Sequence, residues 1–259
     1  FLCPFLFSDS PVPRLIFLYY FNNFYNFQTF FLYFGSNKSD ETFYIIPIKE
    51  ISELREISKN SNPPILDSLD SHKKLVDLKK LDDEFQLDIR YASSNNFMRS
   101  KFYKNERAFF NMSAADRLIE AKNDLKELGY GIIIYDAYRP WFVTKMFWEG
   151  TPENLKHFVA NPENGSSHNK GCAIDIGLYD IETGESIVMI SGYDEFTERA
   201  YPNYMGGSKK QRDIRDMLIQ VMERNDFTVY EYEWWHFNYN GCDSGIMNYS
   251  FEELDSISS

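Results

Sequence analysis

Hydrophobic and polar positions divide this chain into stretches of different character. Residues 1–34 are dominated by rings: 10 Phe and 4 Tyr, interleaved with Asn22, Asn23, Asn26, Gln28 and Thr29. Residues 35–73 turn polar and charge-rich, with Ser61, Asn62, Pro63 and Pro64 in a row. That stretch reads as a linker, with helical turns around 49–59. From 74 to 259 the apolar positions recur with regular periods, and there a single folded domain is expected.

Within that domain, 75–78 and 85–91 read as short strands. The second alternates, with Phe85, Leu87, Ile89 and Tyr91 on one face. Residues 113–128 read as a helix. Ser113 and Asp116 resemble a capping box, Leu118, Ile119, Leu125 and Leu128 form an apolar stripe, and Gly129 suits the stop. A buried strand is expected over 131–135, and Pro140 suits the first turn of a helix over 141–148. Residues 172–178 make a further strand candidate. The clearest helix spans 209–224, where Ile214, Met217, Leu218, Val221 and Met222 fall at i, i+3, i+4, i+7 and i+8. A last strand is expected over 227–237. Helices and strands mix without a regular βαβ rhythm, which predicts an α+β fold.

Composition narrows the function classes. A net charge of −12 with no basic stripe excludes nucleic acid as an expected partner. Three cysteines, Cys3, Cys172 and Cys242, are too few and odd in number for a disulfide scaffold, and without a CxxC pair they exclude a cysteine zinc ribbon. Cys172 reads as a buried thiol, and unpaired cysteines lean the compartment toward a reducing interior. Residues 15–34 have about the length of a bilayer span, although amides and hydroxyls interrupt them. The leader is therefore an anchor, a targeting segment or a disordered extension. Membrane contact is expected only if 15–34 anchors the chain.

Chemistry concentrates around two of the four histidines. His168 precedes an apolar strand in which Asp175 sits between Ile174 and Ile176. Burying that carboxylate is costly unless it is paired or binds a metal. Ala173, Asp175 and Gly177 share one face, narrow enough for a pocket floor. His236 would complete a His, Asp, His set with an open fourth position, the count of a catalytic zinc. Glu233, three residues earlier, suits a general base. Positions 233 and 236 face opposite sides of a straight strand, so an irregularity is expected at Trp234 and Trp235. A third cluster, Tyr135-Asp136-Ala137-Tyr138-Arg139-Pro140, sets Arg139 between a buried strand and a helix start, where its planar fork suits an oxyanion.

Together these clusters resemble the VanX-type D-alanyl-D-alanine dipeptidases of the M15 zinc peptidases, a group that also holds D,D-carboxypeptidases and is fold-related to the hedgehog domain. The pattern S-x-H-x-x-G-x-A-x-D is met by residues 166–175, and E-x-W-H by Glu233, Trp235 and His236. The doubled tryptophan looks like the dipeptidase branch; carboxypeptidase relatives tend to carry proline where Trp234 stands. The stretches D-x-R-Y-A-x-x-x-N-F at 88–97 and D-x-Y-R-P at 136–140 fit the same branch.

The resemblance implies one domain with a central, mostly antiparallel sheet and flanking helices. It implies one zinc ion held by His168, Asp175 and His236. Glu233 would be the general base, Arg139 would stabilise the oxyanion, and Tyr91, Ser166 and Asp194 would line the site of a small dipeptide. Asp194 would receive the dipeptide's amino group. The activity implied is hydrolysis of D-Ala-D-Ala. The alternatives are a related D,D-carboxypeptidase, a broader dipeptidase, or a non-catalytic zinc-binding domain of hedgehog type. Departures fall at Ile190, where the family has glycine, at Asn169, where the resistance-type enzymes have serine, and in a shorter stretch between Trp148 and Ser166. They bear on substrate preference.

Overall fold

The apolar run expected as a buried strand at 131–135 lies inside a five-stranded sheet. In the computed structural model, residues 42–64 and 70–257 are described. Their strands are β1 (Leu75–Asp77), β2 (Gln86–Leu87), β3 (Phe109–Asn111), β4 (Tyr130–Asp136), β5 (Ala173–Asp180), β6 (Phe227–Tyr230) and β7 (Glu233–Tyr239). Their helices are α1 (Ile51–Lys59), α2 (Leu78–Leu81), α3 (Met112–Glu127), α4 (Trp141–Gly150), α5 (Lys209–Arg224) and α6 (Phe251–Ile257). The main sheet has the order β2-β4-β5-β7-β6, with β2 and β4 parallel and the other pairs antiparallel. β1 and β3 form a separate two-stranded ladder. The fold is α+β, with a mostly antiparallel sheet and flanking helices.

α5 follows the expected stripe: Ile214, Leu218, Val221 and Met222 are buried, and Ser208 with Gln211 makes a capping box at its start. α3 begins one residue before the expected helix. Its cap is Asn111, whose side chain accepts the Ser113 N–H at 2.9 Å, so Ser113 lies inside the first turn.

The alternation at 85–91 does not produce one long strand. β2 ends at Leu87, the Asp88 N–H makes a last bond to Ile134 O at 3.0 Å, and a 3₁₀ turn at Arg90–Ala92 follows. Tyr91 is still buried, because the turn carries it inward.

Part of the stretch expected as a linker is packed. Leu54 of α1 is fully buried and lies over Gly150 of α4, where a Cβ would meet it at 2.9 Å. The Ile45 N–H donates to Phe97 O at 2.7 Å, and Lys49 pairs with Glu149 at 2.9 Å. The packed part of the chain thus begins before Leu75. The leader 1–34, with Cys3 and the possible span at 15–34, lies outside the described residues. No helix among the described residues is long and apolar enough to cross a membrane.

The reading of Cys172 as a free thiol is corrected. Cys172 and Cys242 form a disulfide across 70 residues, with Cα atoms 5.8 Å apart. The cause is strand pairing. β5 and β7 are antiparallel neighbours, the Tyr239 N–H donates to Cys172 O at 2.8 Å, and a turn after β7 brings Cys242 back beside β5. The lean toward a reducing interior rested on unpaired cysteines and loses that ground. Closing a loop of this length restricts the unfolded chain, so Cys242→Ser is expected to cost about 2–5 kcal/mol of stability. Urea unfolding of the variant, and of the wild type with and without reductant, checks this. Equal midpoints would contradict it.

Candidate active site

His168 stands in a single 3₁₀ turn, Ser167–Lys170, ahead of β5. Ser166 caps the turn by accepting the His168 N–H at 3.2 Å, and Asn169 reaches back to the Ser166 N–H at 2.8 Å. Gly171 closes the turn with a φ of +67°, a left-handed conformation that favours glycine. A Cβ there would also stand 2.5 Å from Leu75 Cδ2. The chain then enters β5, where Asp175 is the direct antiparallel partner of His236 on β7. Directly opposed residues project to the same face, so the two side chains meet.

Three ligand atoms converge. His168 Nε2 lies 3.3 Å from Asp175 Oδ1 and 3.1 Å from His236 Nδ1, and His236 Nδ1 lies 3.0 Å from Asp175 Oδ1. His168 Nδ1 is 2.6 Å from Ala137 O, which must accept its proton, so Nε2 presents a lone pair. His236 Nε2 faces Asn238 Oδ1 at 3.2 Å, which leaves Nδ1 as the inward lone pair. Asp175 Oδ1 is buried without a hydrogen-bond partner. Three buried lone pairs aimed at one point are mutually repulsive unless a cation stands among them.

The donor set fits zinc. A tetrahedral ion about 2.0–2.1 Å from nitrogen and oxygen ligands holds them about 3.3 Å apart. The pull of this trio on positive charge is visible in His236. Burial alone would lower its pKa, yet Asp175 more than offsets that and raises it. Asp175 answers in kind: burial favours its neutral form, but the His168 and His236 imidazoles outweigh this and hold it well below the carboxylate range.

Glu233 reaches the trio because β7 is irregular where expected. Val229 of β6 pairs with Phe237, while Tyr230 pairs with Glu233, so Trp234, Trp235 and His236 have no partner on β6. The bulge turns Glu233 to the side of His236, with Oε2 at 3.7 Å from Nδ1. It also buries both indoles. Trp234 Nε1 donates to Ser191 Oγ at 2.9 Å, and the Trp235 ring lies 5.5 Å from that of Tyr193. The expected single strand over 227–237 is thus a hairpin. Burial, with Asp175 adding to it, pushes Glu233 up to about 7, the range of a base that works near neutrality.

Arg139 follows β4 and is buried. Its Nε donates to Asp136 Oδ2 at 2.8 Å, and its guanidinium lies 5.0 Å from the Phe147 ring and 5.2 Å from that of Tyr91. Tyr103 donates to the other Asp136 oxygen at 2.9 Å. Asp136 therefore holds the guanidinium by one edge and leaves NH2 directed toward Asp175, whose Oδ2 is 3.9 Å away.

Across the cavity, Asp194 has a φ of +56°, a strained conformation for a non-glycine residue and one concentrated at functional sites. The Tyr91 hydroxyl is 3.0 Å from each of its carboxylate oxygens. Burial, followed by the charges of Glu233 and Asp175, pushes the Asp194 carboxyl well above its usual range.

All eight residues singled out from sequence line one cavity of about 210 Å3: Tyr91, Arg139, Ser166, His168, Asp175, Asp194, Glu233 and His236. The rings of Phe97, Phe147, Phe158 and Phe196 form its apolar wall. Pockets for drug-sized ligands run to about 300–1,000 Å3, so this one suits a small molecule. Sequence reasoning missed Tyr103, Tyr193 and Asn238 and gave Asp136 no role. Asn238 had a readable signal, since it lies two residues after His236 and so shares its face. Asp136 stood inside a quoted motif. Nothing in the sequence marked Tyr103.

The family described as D-Ala-D-Ala dipeptidase, peptidase M15, matches residues 71–254. A D-alanyl-D-alanine dipeptidase of Escherichia coli is 30% identical over 164 residues, covering 63% of this chain and 83% of that protein. One of Enterococcus faecium is 32% identical over 171 residues, covering 58% and 83%. Among solved structures, an LD-carboxypeptidase matches 52% of this chain and 61% of its own at 20% identity, with a TM-score of 0.36. With the match spanning the 3₁₀ turn, the sheet and the bulge that carry the site, the chain belongs to the D-Ala-D-Ala dipeptidase family of M15 peptidases.

Proposed function

We propose that this chain is a zinc dipeptidase that hydrolyses D-alanyl-D-alanine to two D-alanines, with one Zn2+ held by His168, Asp175 and His236. The observation that carries the reading is the convergence of three buried lone pairs beside a carboxylate poised near neutrality. Charge supports it. Asp136, Asp175, Asp194 and Glu233 place four carboxylates in and behind the cavity, against the single guanidinium of Arg139. A divalent ion and one substrate ammonium would bring that sum to zero.

Zinc bound there supplies a Lewis acid that activates water and polarises a carbonyl. The chain's own residues do the rest. Glu233 Oε2 accepts the proton of the attacking water and later delivers it to the nitrogen of the breaking C–N bond. Arg139 NH2, fixed through Asp136, donates to the oxygen on which negative charge develops. Asp194, oriented by Tyr91, receives the free ammonium of the dipeptide, and the ammonium in turn supplies the positive charge that its burial lacks. Ser166 keeps His168 in place through the turn cap. A non-catalytic binding domain would need neither Glu233 nor Arg139 at the cavity wall.

Selectivity for free dipeptides tests the role of Asp194. N-acetyl-D-Ala-D-Ala presents no charge to it, and its kcat/KM is expected to be at least about 100-fold lower than that of D-Ala-D-Ala. Asp194→Asn is expected to lower kcat/KM for the free dipeptide about 10–100-fold, the loss of one hydrogen bond to a charged group, and to leave the blocked substrate unchanged. Equal rates on both substrates would favour a D,D-carboxypeptidase instead.

A further inference from the structure

Each zinc-facing side chain has one outer partner, and the partner of Asp175 differs in kind from the others. Tyr193, in the long loop after β5, points its hydroxyl at Asp175 Oδ2, 2.8 Å away. Asp175 Oδ1 is the oxygen that faces both histidines. The same hydroxyl lies 3.2 Å from that of Tyr91, whose proton goes to Asp194. Two buried tyrosines thus stand side by side, one against a ligand of the metal and the other against the carboxylate at the far side of the cavity.

The proton inventory fixes the direction of these bonds. A phenol has one proton to give. Tyr193 gives it to Asp175 and Tyr91 gives it to Asp194. With both protons committed to carboxylates, the two hydroxyl oxygens are neighbours at 3.2 Å without a proton between them. The Tyr193 ring is held independently of its hydroxyl, packed 4.9 Å from Tyr135 and 5.5 Å from Trp235.

We infer that Tyr193 is a positioning residue of the metal centre: its hydroxyl occupies Asp175 Oδ2, so that only Oδ1 is offered as a ligand. This rests on the zinc reading above. Without the hydroxyl, Asp175 can swing both oxygens inward or turn Oδ2 toward Arg139 NH2, now 3.9 Å away. Partners of this kind set ligand orientation, and their loss costs about 10–100-fold in metal affinity.

The test is the zinc affinity of Tyr193→Phe, measured by competition with a chromogenic chelator. Tyr135→Phe is the control, since it removes a neighbouring buried hydroxyl that does not touch Asp175. The expected results are a 10–100-fold weaker zinc affinity in Tyr193→Phe only, with metal-free melting temperatures of the two variants alike. The cobalt(II)-loaded Tyr193→Phe protein should also show a visible band altered from that of wild type, since the ligand's mode of coordination changes. An affinity within twofold of wild type, an equal loss in Tyr135→Phe, or a Phe variant that no longer folds would overturn the assignment, because the hydroxyl would then serve the core. Wild-type protein that holds no zinc would overturn the zinc reading itself, and the assignment with it.

Discussion

Glu233→Gln is expected to lower kcat for D-Ala-D-Ala hydrolysis by about a hundredfold to ten-thousandfold while zinc stays bound. The amide keeps the shape of the side chain and its place in the bulge between Val229 and Phe237. It cannot take a proton from water or return one to the leaving nitrogen. The ligands His168, Asp175 and His236 are untouched, so zinc content by elemental analysis should remain one per chain. Retained activity with zinc in place would contradict the role given to Glu233. The pH profile carries the same claim. A base must be deprotonated to act, so activity is lost as pH falls through its pKa. Burial places that pKa at about 7 in the chain alone, and a neighbouring cation draws it lower. The acid limb of kcat/KM is therefore expected at or below pH 7, and absent from what little activity Glu233→Gln retains.

Arg139→Lys is the second large effect, an expected loss of about 100- to 1,000-fold in kcat with little change in KM. Lysine is chosen because Asp136 is buried, and removing its positive partner outright would strand that carboxylate at a cost of about 3–5 kcal/mol. An ammonium can satisfy Asp136 or reach the oxyanion, but lacks the fork that does both at once. A lysine variant with wild-type kcat would show that charge near Asp136 suffices and that the NH2 donor is dispensable.

Much of this site was legible because its residues are close in sequence to the features that place them. Asp175 stood out as a carboxylate between two isoleucines, and strand pairing with His236 accounts for it. The bulge at Trp234 was forced by parity, since Glu233 and His236 could not otherwise share a side. α5 was legible from its stripe alone. Other features depend on long-range packing that local pattern does not encode. Tyr103 donates to Asp136 from 33 residues away, and Tyr193 reaches Asp175 from a loop with no period. The Cys172–Cys242 bond needed the register of β5 on β7 before the two thiols could be seen as neighbours. The alternation at 85–91 misled because Tyr91 is buried by a turn that leaves the sheet. The helical turns expected around 49–59 are α1, but its packing was not legible, since Leu54 meets α4 only in the fold.

The most direct measurement is D-alanine release from D-Ala-D-Ala by the purified full chain, before and after removal of metal with a chelator and again after zinc is restored. Release that disappears with the metal and returns with about one equivalent of zinc is the predicted result. Folded, zinc-loaded protein that releases no D-alanine would contradict the proposed activity.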